Sequence, residues 1–182
     1  NKLYGFKKFV IVVPSVDIRE GVLKNLQITH EHFQSLYDKT SINFDIYDSK
    51  KVSNLRGFSS GNAIQVLVIN IDSFAKDENI INKPNDKLTG KKPIEFIQST
   101  KPIVIVDEPQ NMETGIRKKA IQNLEPLCTL RYSATHTNLY NLMYSLNPVK
   151  AYDLGLVKQI EVDSVMSEND FNDSFIQLES VN

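Results

Sequence analysis

The sequence predicts an α/β chain built on an open, mostly parallel sheet with helices on both faces. Three observations lead there. The runs FVIVV, IQVLVINI and PIVIV are short, continuous and rich in Val and Ile, with no alternating polar face. That is the pattern of strands buried on both sides. Amphipathic stretches lie between the runs, as crossover helices lie between parallel strands. Each run also stops at a small group of polar residues, and ligands bind such sheets at the carboxyl ends of their strands.

Taken in order, KFVIVVP is the first strand and ends at Pro14. SVDIREGVLKNLQITHEHFQSLYDK then reads as a long helix. Asp17 and Glu20 have capping-box spacing. Val22, Leu23, Leu26, His30, Phe33 and Tyr37 share one face at helical periodicity. INFDIYD (42–48) alternates as a short strand, and KKVSNLRGFSSGN reads as a loop or irregular edge. IQVLVINI (64–71) is strongly apolar. The polar stretch after it begins with one short helical turn, and 79–92, punctuated by Pro84 and Gly90, reads as an exposed loop. IEFIQST makes a turn or two of helix. PIVIVDE is another buried strand. ETGIRKKAIQNL (113–124) is a helix with Ile116, Ala120, Ile121 and Leu124 inward and Arg117, Lys118 and Lys119 on its wet face. LCTLRYSAT is a strand ending near Ser133. Beyond residue 145 a helical turn leads to strands near 156–163 and over FIQLESV. The organisation expected is one domain over 1–150 and an exit segment over 151–182.

Composition narrows the classes. The 182 residues suffice for one domain with a sizeable core. The 21 basic and 22 acidic residues leave a formal charge of −1, so any nucleic-acid contact is expected to be local. The single cysteine, Cys128, cannot form an internal disulfide and reads as a small buried hydrophobe. No Cys/His cluster has zinc spacing. His30 and His32 read as ordinary helix histidines. No apolar run reaches the length of a membrane span. The start NKLYGFKKFVIVV, a few residues before a strand, and the ending just after an apolar alternation suggest a piece truncated at both ends.

The strand-end rule gathers Pro14 and Ser15, Asn70 and Asp72, Asp107 to Gln110, and Ser133 to His136 along one edge. Among these, DEPQ carries the clearest chemistry. A carboxylate at the end of a buried strand can hold a hydrated Mg²⁺, which touches only one or two carboxylates plus phosphate oxygens. A neighbouring Glu can orient or deprotonate the water that attacks a γ-phosphate. Pro109 is expected to keep Glu108 extended. The hydroxyls of SAT, 133–135, can hydrogen-bond to Gln110 or His136.

The pair DEPQ and SATH resembles motifs II and III of superfamily 2 helicase-like ATPases. FVIVVPSVDIREGVLKNL, IQVLVINIDSF, KPIVIVDEPQNMET and LRYSATHTNLYNLMYSLNPVKAYDLGLVKQIEV resemble the restriction (Res) subunit of Type III restriction-modification systems, over nearly the whole chain to about residue 165. The resemblance implies the first RecA-like motor domain of a DNA-dependent ATPase, with ATP and Mg²⁺ as cofactors. It implies duplex DNA and a methyltransferase/specificity (Mod) subunit as partners, and a bacterial cytoplasm as location. Asp107 matches the Mg²⁺-coordinating acid, through water, and Glu108 the residue that activates water. Gln110 would couple nucleotide state to Ser133, Ala134 and Thr135, with His136 beside them. PSVDIRE matches motif Ia, with Ser15 and Arg19 as candidates for the DNA backbone. Asn70 to Ser73 falls where a further DNA-facing loop lies, with Asn70 and Ser73 as its candidates.

The departure from the family pattern is the phosphate loop. No G-x-x-x-x-G-K-[ST] run occurs in these residues, and no second motor domain or nuclease domain is present. The expectation is half of an ATP site, inert by itself. Two other classes compete. A phospho-acceptor receiver needs further acids after the first strand, where Pro14 and Ser15 stand, and a Lys where His136 stands. A plain nucleic-acid-binding domain lacks its basic and aromatic interleaving.

Overall fold

The apolar runs pair as strands, and every pairing is parallel. In the computed structural model, which describes residues 4–112, 115–133 and 141–158, five strands form one sheet. They are β1 (Lys8–Val13), β2 (Ile42–Ile46), β3 (Ile64–Asn70), β4 (Ile103–Asp107) and β5 (Cys128–Tyr132), in the order β2-β3-β1-β4-β5. Helices α1 (Val16–Leu36), α2 (Asn54–Ser60), α3 (Pro93–Gln98) and α4 (Gly115–Asn123) connect them. The chain divides into Asn1–Tyr140, which holds the sheet, and Asn141–Asn182, which holds α5 (Pro148–Asp153).

Register decides which side chains share a face. Val10 stands beside Leu67 and Val104, and Val12 beside Ile69 and Val106. All six are buried in one cluster with Leu55 and Phe58 of α2, Ile94 and Ile97 of α3, and Ala120 and Leu124 near α4. The other face carries Val66 and its register partner Phe44. The rings of Phe44 and of His30 on α1 pack nearly perpendicular, with centroids 5.2 Å apart. Helices therefore cover both faces, as the unbroken apolar runs require.

Several expectations are corrected. The N-cap of α1 is Ser15, not Asp17: its extended backbone lets Oγ accept the Ile18 N–H at 3.3 Å. Phe33 and Tyr37 are exposed, because the 21-residue α1 is about 31 Å long against about 23 Å for the seven residues of β3, so its last turns overhang the sheet. KKVSNLRGFSSGN is not a loop throughout; it contains α2. The Lys8 ammonium donates to the Phe58 and Gly61 carbonyls at its C-terminus, and burial lowers the Lys8 pKa. The stretch 79–92 is pinned by the fully buried Ile81 and Leu88, while Lys87, Lys91 and Lys92 stay exposed. Ile116 is exposed, since α4 meets the core only from Ala120 onward.

Cys128 is also exposed. It pairs with Ile103 in register, on the face where α1 packs over β1, β2 and β3. The strands expected near 156–163 and over FIQLESV fall outside the described residues, apart from 156–158, which are irregular.

Tyr47, just past β2, is 6% exposed, and its Oη has no hydrogen-bond partner among the described residues. Burial first, and the Asp48 carboxylate second, push its pKa up to about 12. The neutral phenol is therefore favoured by folding; its contribution holds below pH 10 and is lost as pH rises from 10 to 12. Tyr47→Phe removes a buried hydroxyl with no partner among the described residues, so urea unfolding should show stability unchanged or raised by up to about 1 kcal/mol. The same substitution should delete the latest phenolate step in a 295 nm absorbance titration of this seven-tyrosine chain. A clear loss of stability would mean that Oη has a partner in solution.

Candidate functional site

Parallel strands deliver their carboxyl ends to one edge, and two polar clusters form there. The first lies where β4 and β5 end. Asp107 is the last residue of β4, half-buried, beside Tyr132 in register. Glu108 follows with φ of +51°, in the left-handed region, not the extended geometry expected before a proline. Two contacts hold it there. Its N–H donates to the Tyr132 carbonyl at 3.0 Å, and its carboxylate accepts from Gln110 Nε2.

Pro109 to Met112 make a 3₁₀ turn, anchored by Met112 at 2% exposure. Gln110 on that turn bridges two strand ends. While Nε2 serves Glu108, Oε1 accepts from Ser133 Oγ at 2.8 Å, one residue beyond β5. The acid pair and the first hydroxyl of SAT are thus joined through one amide side chain. Ala134, Thr135 and His136 lie outside the described residues.

The second cluster lies where β1, β2 and β3 end. Arg19, on the first turns of α1, and Ser73, at the end of the short 3₁₀ turn Ile71–Ser73, line one polar cavity of about 530 Å³. Asn79, Asn54 and Lys51 share its wall, as do Asp45 and Asp48. Arg19 pairs Nη2 with Glu20 at 2.9 Å, and its buried Nε has no partner among the described residues. Asn70 is 7% exposed and accepts the Asp72 N–H at 2.8 Å, so its side chain fixes the turn. Ser15 likewise has its hydroxyl engaged at the head of α1.

Sequence reasoning missed Lys51, Asn54 and Asn79. Lys51 and Asn54 had a signal: β2 also ends at this edge, so the strand-end rule applied to INFDIYD would have led to the segment after it. Asn79 had none, because its loop is fixed by side-chain amides bonded to nearby backbone carbonyls, which no apolar periodicity announces. Its Nδ2 donates to the Asp72 carbonyl at 3.0 Å, and Asn82 Nδ2 donates to the carbonyls of Phe74 at 3.1 Å and Lys76 at 2.8 Å.

Which cofactor the first cluster fits follows from its donors. Asp107 and Glu108 offer carboxylate oxygens only, and no three His, Cys, Asp or Glu side chains converge among the described residues. That set suits Mg²⁺, which keeps most of its waters and takes the rest of its shell from phosphate. It does not suit a metal caged by protein ligands. The sequence contributes no glycine-rich phosphate loop, so the residues present fit the metal and water side of a nucleotide site and not its phosphate cradle.

Residues 1–138 match the family model described as Type III restriction enzyme, res subunit. The chain is 30% identical over 183 aligned positions to the Type III restriction-modification enzyme EcoP15I Res subunit of Escherichia coli, covering 88% of this chain and 19% of that protein. It is 29% identical to the EcoPI Res subunit of Escherichia phage P1, with the same coverage, and 26% identical to the StyLTI Res subunit of Salmonella typhimurium, covering 89% of this chain and 20% of that one. The chain thus spans about a fifth of the length of these relatives.

If Gln110 joins Ser133 in solution, the two side chains are energetically coupled. Gln110→Ala, Ser133→Ala and the double variant, compared by urea unfolding, should show a coupling of about 0.5–1.5 kcal/mol. Additive effects would mean that the bridge is not formed.

Proposed function

From the premise that this chain belongs to the Type III restriction enzyme res subunit family, we propose that it supplies the metal- and water-handling half of an ATP site in the first RecA-like domain of a DNA-dependent motor. The complete protein would be the ATP-dependent endonuclease subunit of a Type III restriction-modification system, acting on duplex DNA with a Mod subunit in the bacterial cytoplasm. By itself this segment is inert, because it lacks a phosphate cradle. The observation that carries the reading is the Gln110 bridge between Glu108 and Ser133.

Each residue takes a role from its position. Asp107, at the strand end, would hold Mg²⁺ through water. When bound, ATP would supply the γ-phosphoryl group and Mg²⁺ would neutralise its oxygens. The Glu108 carboxylate orients the attacking water and accepts its proton. Gln110 keeps that carboxylate in place and reports its state to Ser133, and through it to Ala134, Thr135 and His136.

The second cluster is the DNA side. Arg19 offers a guanidinium to a backbone phosphate, and Ser73 a hydroxyl in the same cavity. Ser15 and Asn70 support these two, one by capping α1 and the other by fixing the 3₁₀ turn. With a formal charge of −1, the chain as a whole adds no broad electrostatic attraction, so the contact is local.

In the full-length protein, Glu108→Gln should lower ATP turnover by roughly 10²-fold or more while nucleotide affinity stays close to normal. Undiminished hydrolysis would remove Glu108 from the role. Arg19→Ala should weaken duplex binding about equally across sequences and reduce the salt slope by about 1. An unchanged salt slope would take Arg19 off the phosphate.

A further inference from the structure

We infer that the ion pair between Arg117 and Asp72 is a coupling strut between the nucleotide-side residues and the loop assigned to DNA. The inference rests on the motor reading above and names the residues that would carry its signal. Arg117 Nη2 lies 2.8 Å from Asp72 Oδ1. The partners come from α4 and from the 3₁₀ turn after β3, which pack against each other, while β1 lies between β3 and β4 in the sheet.

Each end of the strut is tied to one cluster. On the nucleotide side, α4 begins three residues after the turn Pro109–Met112, whose Gln110 holds Glu108 and Ser133. Buried Met112 fixes that turn to the core. On the DNA side, Asp72 is held by its backbone at two points: its N–H donates to buried Asn70, and its carbonyl accepts from Asn79. Asn79 and Ser73, the residue after Asp72, both line the cavity that contains Arg19. In this inference Arg117 carries a shift of α4 to the carboxylate of Asp72. Arg117 is 32% exposed and Asp72 62%, so the pair can open and close without leaving a charge buried. Arg117 is thus a positioning residue, where the sequence assigned it only to the wet face of its helix.

The test is ATP hydrolysis by the full-length protein with and without duplex DNA. Arg117→Glu should leave DNA-independent hydrolysis and the melting temperature unchanged and reduce DNA stimulation by up to roughly fivefold. Adding Asp72→Arg to that variant should restore most of the stimulation, as should Arg117→Lys alone. Arg117→Gln, which removes the charge without repulsion, is read in the same way if the reversal impairs folding. Full stimulation in Arg117→Glu or Arg117→Gln overturns the strut and leaves the motor reading standing. A loss that Asp72→Arg fails to recover also overturns it. Absence of any ATP hydrolysis in the unmodified protein overturns the motor reading and the strut together.

Discussion

Parallel pairing in register is the constraint on which the rest of this structure depends. With Val12 beside Ile69 and Val106, and Val106 beside Arg131, the strands end nearly level along one edge. An antiparallel neighbour would send one of those ends to the opposite edge and separate Asp107 from Ser133. The same register puts Val10, Leu67 and Val104 on one buried face, which anchors the loops that leave the sheet. Ile71 and Met112 are buried at the start and end of the two 3₁₀ turns at this edge. Each polar loop is therefore held to a core residue, and its polar atoms are free to face outward.

What the sequence made legible and what it hid divide along the range of the interactions. Apolar runs of five to seven residues show their burial locally, so the strands and the strand-end rule emerged from FVIVV, IQVLVINI and PIVIV without further help. The Gln110–Ser133 contact was within reach because both residues follow strands that pair directly. Helix α2 was hidden. No side chain caps its first turn, and its last carbonyls are served by Lys8, 50 and 53 residues away. At its end, a Cβ on Gly61 would lie 2.9 Å from the Gly57 carbonyl, a close approach that no local pattern announces. The exposure of Cys128 was hidden for a related reason: an apolar strand reads the same whether or not a helix crosses above it.

The conformation of Glu108 shows a local rule overridden. A residue before proline favours extended backbone, and a non-glycine residue in the left-handed region costs roughly 1–2 kcal/mol. The fold offsets this through the Tyr132 carbonyl and the Gln110 amide, which together fix both the backbone and the carboxylate of one residue. Extended geometry would continue the strand and alternate Glu108 away from Asp107. The left-handed kink instead ends β4 at once and turns the chain into the 3₁₀ turn that carries Gln110. Strain of this kind persists where the surroundings over-determine it, which is common at functional sites.

The first cluster follows β4 and β5 and the second follows β1, β2 and β3, and the interior of β1 beside that boundary is fully buried at Val10, Val12 and Val13. A signal between them has little scope to pass through that strand, because close-packed apolar side chains admit few alternative arrangements. It has to pass outside that strand, through groups that can part and rejoin. A buried ion pair would serve badly, since breaking one costs about 3–5 kcal/mol and would lock the two loops together. A solvent-screened pair such as Arg117–Asp72 is worth about 0–1 kcal/mol, close to the low end of ordinary coupling energies. Buried Asn70 supplies the permanent part of the connection by holding the turn to β3. The exposed pair supplies the part that can switch, and the division follows from burial alone.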